Sequence, residues 1–192
     1  MTDAASIDIA RYHRGALDAT RVVVAGIRPE QYADPSPNDG WDVRALLNHV
    51  VTGNWWASEL GAGRTIAEVG DRLDGDVLGD DPLAAYDASA KAAAEVFERP
   101  GALDAPCAVS YGPIPGSVYA GHRFLDVLVH GWDLAVATGQ DRTIDPDLAE
   151  TCIAVIAPQT EVLNSGVFGQ PVDVPPDADA QTRLLGMLGR RN

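Results

Sequence analysis

Four residues that could bind a metal ion or move a proton recur at helical spacing within one apolar segment. They stand four, four and three residues apart, at His122, Asp126, His130 and Asp133. A helix repeats every 3.6 residues, so these spacings place all four on one face, which we call the polar stripe. The surrounding segment, SVYAGHRFLDVLVHGWDLAVAT, is apolar on several sides and is predicted to be buried. Because an unpaired carboxylate is costly to bury, the polar stripe must have partners.

A divalent metal ion is one such partner. Asp126 and His130, one helical turn apart, can bind a single ion together, and His49 in the segment ALLNHVVTGNWW offers a third ligand. Two antiparallel helices would bring His49 opposite that pair. Two histidines and a carboxylate suit zinc, nickel or iron(II). Three protein ligands leave at least one coordination position open, which is typical of a catalytic site.

Simpler explanations stay open on spacing alone. A lone buried histidine such as His49 or His13 is usually a satisfied core residue, and Asp126 with His130 could be a plain intrahelical pair. His122, near the start of its segment, could face solvent. Asp133 could bond a neighbouring helix end, or could hold the second ring nitrogen of His130, with Asp42 as the rival partner. The four tryptophans are expected mainly in the core.

The elements that must position these residues are helices joined by loops. Apolar residues at 3-4 spacing, capping aspartates and terminal glycines define them. We expect Asp39 to cap the second helix, Asp81-Pro82 to open the third, and Gly139 to end the fourth. The predicted helices cover residues 4–28, 39–60, 82–98, 117–138, 146–157 and about 180–189. No segment shows convincing strand alternation, although CAVS and VFGQPVDV could pair as minor strands.

Composition narrows the classes of function. The 192 residues suit one domain with a proper core, predicted to span residues 1–192. The formal net charge of −14 disfavours nucleic acid and anionic membrane surfaces as partners. No apolar run is long enough for a transmembrane helix, and the N-terminus lacks the pattern of a signal peptide. Cys107 and Cys152 form no paired motif and have no base at diagnostic spacing, so a cytoplasmic protein without a thiol nucleophile is expected.

Two segments carry a resemblance to a known family. SPNDGWDVRALLNHVV resembles the opening block of actinobacterial DinB-like proteins, and FLDVLVHGWDLAVATGQD resembles their second block. The ending, PVDVPPDADAQTRLLGMLGRR, is also similar to that subgroup. The superfamily includes mycothiol-dependent maleylpyruvate isomerases and thiol S-transferases that use mycothiol or bacillithiol. The resemblance implies an all-α fold, an up-down-up-down four-helix bundle with an extra C-terminal helical segment.

The resemblance also implies a ligand set. Family members hold zinc or nickel on a histidine of the second helix and an acid/histidine pair of a later helix, which correspond here to His49, Asp126 and His130. The isomerases have Glu where this chain has Asp126, so the ion must lie nearer this helix or be reached through a water. The isomerases also have a second, C-terminal domain that contributes to substrate binding. We therefore do not assign the maleylpyruvate reaction itself to a chain that ends at Asn192.

The expected function is a metal-dependent thiol S-transferase or thiol-dependent isomerase. Its cofactors would be a divalent metal, zinc ahead of nickel or iron, and a low-molecular-weight thiol, with mycothiol favoured. The metal would activate the thiol, or a water, for attack on a small electrophilic substrate. His122 and Asp133 are the catalytic candidates, with His13 as a further acid–base candidate. Two alternatives stay open: a non-catalytic metal-binding or ligand-binding helical module, and a metal-free helical interaction protein. Whether the chain forms a homodimer is also left open.

Overall fold

The computed structural model describes residues 7–159 and 169–192. It is mostly helical, with 58% of residues in helices. We number the described helices and strands in chain order. The helices are α1 (Ile9–Ala25), α2 (Val43–Gly61), α3 (Ile66–Val69), α4 (Pro82–Phe97), α5 (Gly116–Thr138), α6 (Pro146–Ile156) and α7 (Ala180–Met187), and the strands are β1 (Pro106–Val109) and β2 (Gly112–Pro115).

Most of the predicted helices are confirmed, and the capping chemistry explains their ends. Asp81 accepts a hydrogen bond from the Ala84 backbone and Pro82 opens α4, as expected. Gly139 ends α5 in the left-handed conformation, at φ 66°. The expected cap of α2 is wrong: Asp42, not Asp39, accepts from the Ala45 backbone. The chain turns at Gly40, with φ 79°, so it enters the helix after that turn.

Three segments that were predicted as loops contain short regular elements. Residues 29–40 include a short 3-10 helix, Pro29–Ala33, and residues 61–80 include α3. Residues 99–116 contain an antiparallel hairpin in which Cys107 pairs with Ile114. The prediction of an all-α fold is therefore corrected: the described residues are mostly helical but include this two-stranded sheet. The CAVS strand exists, but its partner is β2 rather than VFGQPVDV, of which Val167 and Phe168 lie outside the described residues. Its remaining residues form no strand.

Four long helices position the candidate site. Helix α1 packs against α5 and α4, and α2 packs against α4 and α5. The packing faces carry large apolar side chains that are almost fully buried, among them Leu17 of α1, Leu46 of α2, Phe97 of α4 and Phe124 of α5. Burying such side chains is the main favourable contribution to the stability of the fold. The contact of α2 with α5 is the one that brings His49 to the polar stripe.

The chain divides into two compact units, and the candidate site lies within one of them. The larger unit is Ile9–Arg142, and the smaller unit comprises Met1–Asp8 and Thr143–Asn192, of which residues 1–6 and 160–168 are outside the described part. In the smaller unit, α6 packs against α7. The assignment of 1–192 as a single domain stays a prediction. None of the helices in the described ranges combines the length and apolarity needed to cross a membrane.

Candidate metal centre

Helices α2 and α5 bring one histidine and an acid/histidine pair together. One ligand atom from each of His49, Asp126 and His130 lies within 4.8 Å of the others. Asp126 Oδ1 is 3.3 Å from His49 Nε2 and 3.5 Å from His130 Nε2. The two imidazole rings meet edge to face, with their centroids 5.0 Å apart. Three donors this close suit one divalent ion, and we call them the donor cluster.

The second ring nitrogen of His130 is held by a buried carboxylate. Asp133 Oδ2 lies 3.0 Å from His130 Nδ1 and also accepts a hydrogen bond from Asn38 Nδ2 at 3.1 Å. Asp133 is fully buried. A metal-binding imidazole is neutral and needs an acceptor for its other N–H, and this contact supplies one. The rival partner, Asp42, caps α2 instead.

The other oxygen of Asp126 is held by an arginine. Arg123 donates from a terminal guanidinium nitrogen to Asp126 Oδ2 at 2.9 Å, and its side chain is only 9% exposed. The guanidinium also reaches Asn54 Oδ1 at 3.4 Å. It lies against α2 at Gly53, where a Cβ would be 2.5 Å from both terminal nitrogens. The glycine therefore leaves the space that the guanidinium occupies.

These contacts fix the charges in the donor cluster. Burial by itself would raise the pKa of Asp126, but the Arg123 guanidinium and the two histidines lower that pKa well below its usual value. Burial would lower the pKa of His130, and the carboxylates of Asp126 and Asp133 outweigh it and raise the pKa to about 9. Without a metal ion His130 is therefore protonated at neutral pH. A metal ion bound at Nε2 would replace that proton.

Access to the donor cluster lies on the side of α2. The His49 side chain is 38% exposed, whereas that of His130 is 10% exposed. Trp41, itself 37% exposed, stands beside both rings, with centroid distances of 5.0 Å to His49 and 6.4 Å to His130. A backbone hydrogen bond from Ser36 to Trp41 and the Asn38–Asp133 contact hold the loop that carries the indole. A ligand that enters from this side would contact the indole ring of Trp41.

His122 lies outside the donor cluster. It is half-buried on α5, and its Nδ1 is 3.0 Å from the hydroxyl of Tyr111, in the turn of the hairpin. Tyr111 is 67% exposed. The hairpin therefore sets the orientation of this imidazole at the surface of the larger unit, one helical turn before Asp126.

His13 also lies outside the donor cluster and has a different environment. It is fully buried on α1, edge-on to Phe97 at a centroid distance of 5.4 Å. Neither ring nitrogen has a hydrogen-bond partner among the described residues. Burial, reinforced by the positive charge of Arg123, lowers the pKa of His13 to about 3. The imidazole is therefore neutral at physiological pH, and no hydrogen-bond partner in the described ranges could exchange a proton with it.

Comparison with known proteins gives the family. The sequence model of the mycothiol maleylpyruvate isomerase N-terminal domain matches residues 13–135, which all lie in the larger unit and include the donor cluster. The chain belongs to this family. The matched region begins within α1 and ends within α5. The DinB-like resemblance identified from the sequence is confirmed.

Relatives were found among curated proteins. The chain is 38% identical over 187 residues to uncharacterized proteins of Mycobacterium tuberculosis strains CDC 1551 / Oshkosh and ATCC 25618 / H37Rv, and each alignment covers 93% of this chain and 95% of the relative. The similarity therefore extends beyond the family domain into the smaller unit. No solved structure matches the chain significantly.

Sequence reasoning missed three residues that shape the site. Arg123 stands three residues before Asp126, and a cation at that spacing within an apolar helix was the available signal. Trp41 was expected in the core with the other tryptophans, but it lies directly before the capping Asp42 and therefore at the N-terminus of α2. Asn38 gave no signal, because its contact with Asp133 joins residues 95 positions apart.

Proposed function

We propose that the chain is a divalent-metal-dependent enzyme of the thiol S-transferase or thiol-dependent isomerase type. The observation that carries the proposal is the convergence of His49, Asp126 and His130 within 4.8 Å on two packed helices. The family match supports mycothiol as the thiol. Zinc is the favoured metal, with nickel or iron(II) as alternatives, because each accepts two imidazoles and a carboxylate.

The donor set fits a metal ion for a second reason. The buried carboxylate of Asp133 holds His130 through Nδ1, so that Nε2 points to Asp126 and His49. This is the pattern by which proteins fix metal-binding histidines. When bound, a divalent ion would lower the pKa of a thiol or water and so supply a nucleophile near neutral pH.

The chain's own residues have distinct tasks in this proposal. His49, Asp126 and His130 would hold the ion, while Asp133 keeps the Nδ1 proton of His130 in place. The thiol has to give up its proton before its sulfur can bond to the substrate carbon, and a base has to accept that proton and later return it to the product. We assign that acid–base role to His122, which Tyr111 orients one turn from Asp126. The indole of Trp41 would exclude water from the ligand's exposed side.

The wider setting is also proposed. The four helices α1, α2, α4 and α5, each packed against at least two others, fit a DinB-like up-down-up-down bundle. Both cysteines are free, which suits a reducing, cytoplasmic location. The net charge of −14 favours small-molecule partners over nucleic acid or anionic membranes. We propose no contact for a homodimer.

A non-catalytic metal- or ligand-binding module is the second candidate. The observation in its favour is that the polar side chains already hydrogen-bond to one another: Arg123 with Asp126 and with Asn54 of α2, and Asn38 and His130 with Asp133. Such a network can stabilise α2 against α5 and hold a ligand without turnover. A metal-free interaction protein would use the same network without any ion.

One experiment separates these candidates. Protein purified without added ions is analysed for metal, reloaded with zinc, and assayed for consumption of mycothiol with a generic electrophile. Zinc-dependent thiol consumption that His130→Ala abolishes is expected, and His122→Gln should retain zinc but lose most of the turnover. Zinc retention without thiol consumption would favour the binding module. A chain that takes up no metal would contradict the enzyme and the metal-binding module, and would leave a metal-free ligand-binding module or interaction protein.

A further inference from the structure

The buried arginine beside the donor cluster has a role that the ligand set alone does not explain. Arg123 occupies Asp126 Oδ2 at 2.9 Å, while Asp126 Oδ1 faces the two histidine Nε2 atoms. We propose that Arg123 is a positioning and charge-setting residue that makes the site select an anionic ligand, such as a thiolate. This inference rests on the proposed function, because it concerns a ligand held at the same metal site.

The first step concerns the carboxylate. Because one oxygen of Asp126 is already hydrogen-bonded to the guanidinium, the other remains for the ion. A carboxylate that binds through a single oxygen occupies one coordination position rather than two. Arg123 therefore helps to keep positions open for a ligand, in addition to fixing the direction in which Oδ1 points.

The second step concerns the charge. Asp126 and Asp133 contribute two negative charges at the donor cluster, Arg123 contributes one positive charge, and two metal-binding imidazoles are neutral. With a divalent ion this local group has a net charge of +1, which one anionic ligand neutralises. If residue 123 were neutral, the same ligand would leave a partly buried group with net negative charge. The cost of such an excess charge is large where water is scarce.

The third step concerns how the arginine is held. Its side chain is 9% exposed, and its guanidinium lies over Gly53 of α2 and beside Asn54 Oδ1. Asn54 in turn donates to Ser89 of α4, at 3.3 Å. Contacts with α2, whose Asn54 is in turn held by α4, thus keep the positive charge next to Asp126. An arginine present only to neutralise a surface acid would not require a glycine on the facing helix.

The test compares two conservative variants that differ in charge. Arg123→Lys keeps a positive donor, and Arg123→Gln keeps a neutral donor. Each is loaded with cobalt(II), which reports ligand binding by its visible spectrum, and is titrated with azide as an anionic probe and imidazole as a neutral probe. Arg21→Gln, which removes an arginine from an exposed ion pair with Asp87, is the matched control.

We expect Arg123→Gln to bind azide about tenfold more weakly than the wild type, with little change for imidazole and no weaker retention of cobalt. Arg123→Lys and Arg21→Gln should both resemble the wild type. General damage to the site would weaken azide, imidazole and cobalt binding together. That result, or equal azide binding by the Gln and Lys variants, would overturn the inference.

A second variant covers the case in which Arg123→Gln does not fold. Gly53→Ala places a methyl group where the guanidinium lies and forces the charge away from Asp126. It should weaken azide binding in the same selective way, and unchanged azide affinity would contradict the inference. A wild-type chain that retains no cobalt would contradict the proposed function as well. If the variants retain cobalt but their azide affinity does not depend on the charge at residue 123, only this inference is contradicted.

Discussion

At the scale of single residues, the site depends on two hydrogen bonds that orient its ligands. The carboxylate of Asp133 accepts a hydrogen bond from His130 Nδ1, and the carboxylate of Asp126 accepts one from Arg123. The remaining atoms of these two ligands, Nε2 of His130 and Oδ1 of Asp126, face each other in the donor cluster. The candidate ligands are thus held before any ion arrives, which reduces the ordering that binding requires.

Replacement of Asp133 by Asn should weaken zinc affinity by roughly 10- to 100-fold while binding stays detectable. The amide can still accept from His130, but it lacks the charge that makes the imidazole a stronger ligand. Affinity is measured by competition with a chromogenic chelator. Asp87→Asn, at an exposed ion pair, is the control. Unchanged affinity would make Asp133 a packing residue, and complete loss would make it a direct ligand.

His13 should make the stability of the protein depend on pH. Its pKa in the folded state is about 3, below the ordinary 6.5, so the unfolded chain binds the additional proton. The stabilisation is present above pH 6.5 and is lost as the pH falls towards 3. By pH 5 the free energy of unfolding should drop by about 2 kcal/mol from this group.

Denaturant unfolding of the metal-free protein between pH 7 and 5 measures this effect. Subtracting the same series for His13→Leu cancels the contributions of other groups, including His130. A difference between wild type and variant that does not change with pH would show that the imidazole gains a partner when it is protonated.

The residue scale also shows what the sequence could and could not provide. The 4-4-3 spacing of the polar stripe predicts one face, and the structure brings Asp126 and His130 together with His49 as expected. His122, on the same face by spacing, instead contacts Tyr111 of the hairpin. Spacing fixes which side of a helix a residue occupies, whereas the neighbour on that side depends on the tertiary fold.

At the scale of the elements, the packing of α1 against α5 holds the ligand-bearing helix in place. Gly131, directly after His130, faces Thr20 of α1, and a Cβ there would lie 2.3 Å from Thr20 Oγ1. Thr20 itself donates to the Val127 backbone carbonyl of α5, at 3.1 Å. The helices therefore approach closely at this point.

Gly131→Ala should lower the free energy of unfolding by about 1–3 kcal/mol, because the added methyl forces α1 and α5 apart. Thr20→Ala removes the closest atom, so the double variant should recover part of that loss in a double-mutant cycle. Both are measured by denaturant unfolding. Additive effects of the two changes would show that the methyl group does not meet Thr20.

The ends of the helices were easier to predict from the sequence than the pairing of the strands. Asp81-Pro82, Asp145-Pro146 and Gly139 mark helix ends as local chemistry predicts. CAVS was named as a possible strand, but its pairing with β2 was missed because the two strands have four residues each and together contain three prolines. Short strands with prolines carry almost no alternation signal, so only the pairing itself identifies them.

At the scale of the whole molecule, the core and the donor cluster make separate contributions to stability. Side chains such as Leu46, Phe97 and Phe124 are buried by helix packing without any ion. The donor cluster lies at one side of that core and remains partly exposed through His49. An ion bound at the donor cluster would therefore not be required for the chain to fold.

Chelation of the metal-loaded protein should therefore lower its melting temperature without abolishing its helical circular dichroism at room temperature. The ion binds only the folded state and stabilises it by mass action, so its removal withdraws that contribution alone. Thermal scans with and without chelator give the shift, and His130→Ala should show none. Loss of the helical signal at room temperature would mean that the ion is structural.

The central claim is that His49, Asp126 and His130 hold one divalent metal ion, and metal content per chain tests it most directly. Wild-type protein, His130→Ala and the surface control Asp87→Asn are purified in parallel, reloaded with zinc, desalted and analysed for metal. The account predicts about one zinc per chain in the wild type and the control, and almost none in His130→Ala. Full zinc content in His130→Ala, or no zinc in the wild type, would contradict it.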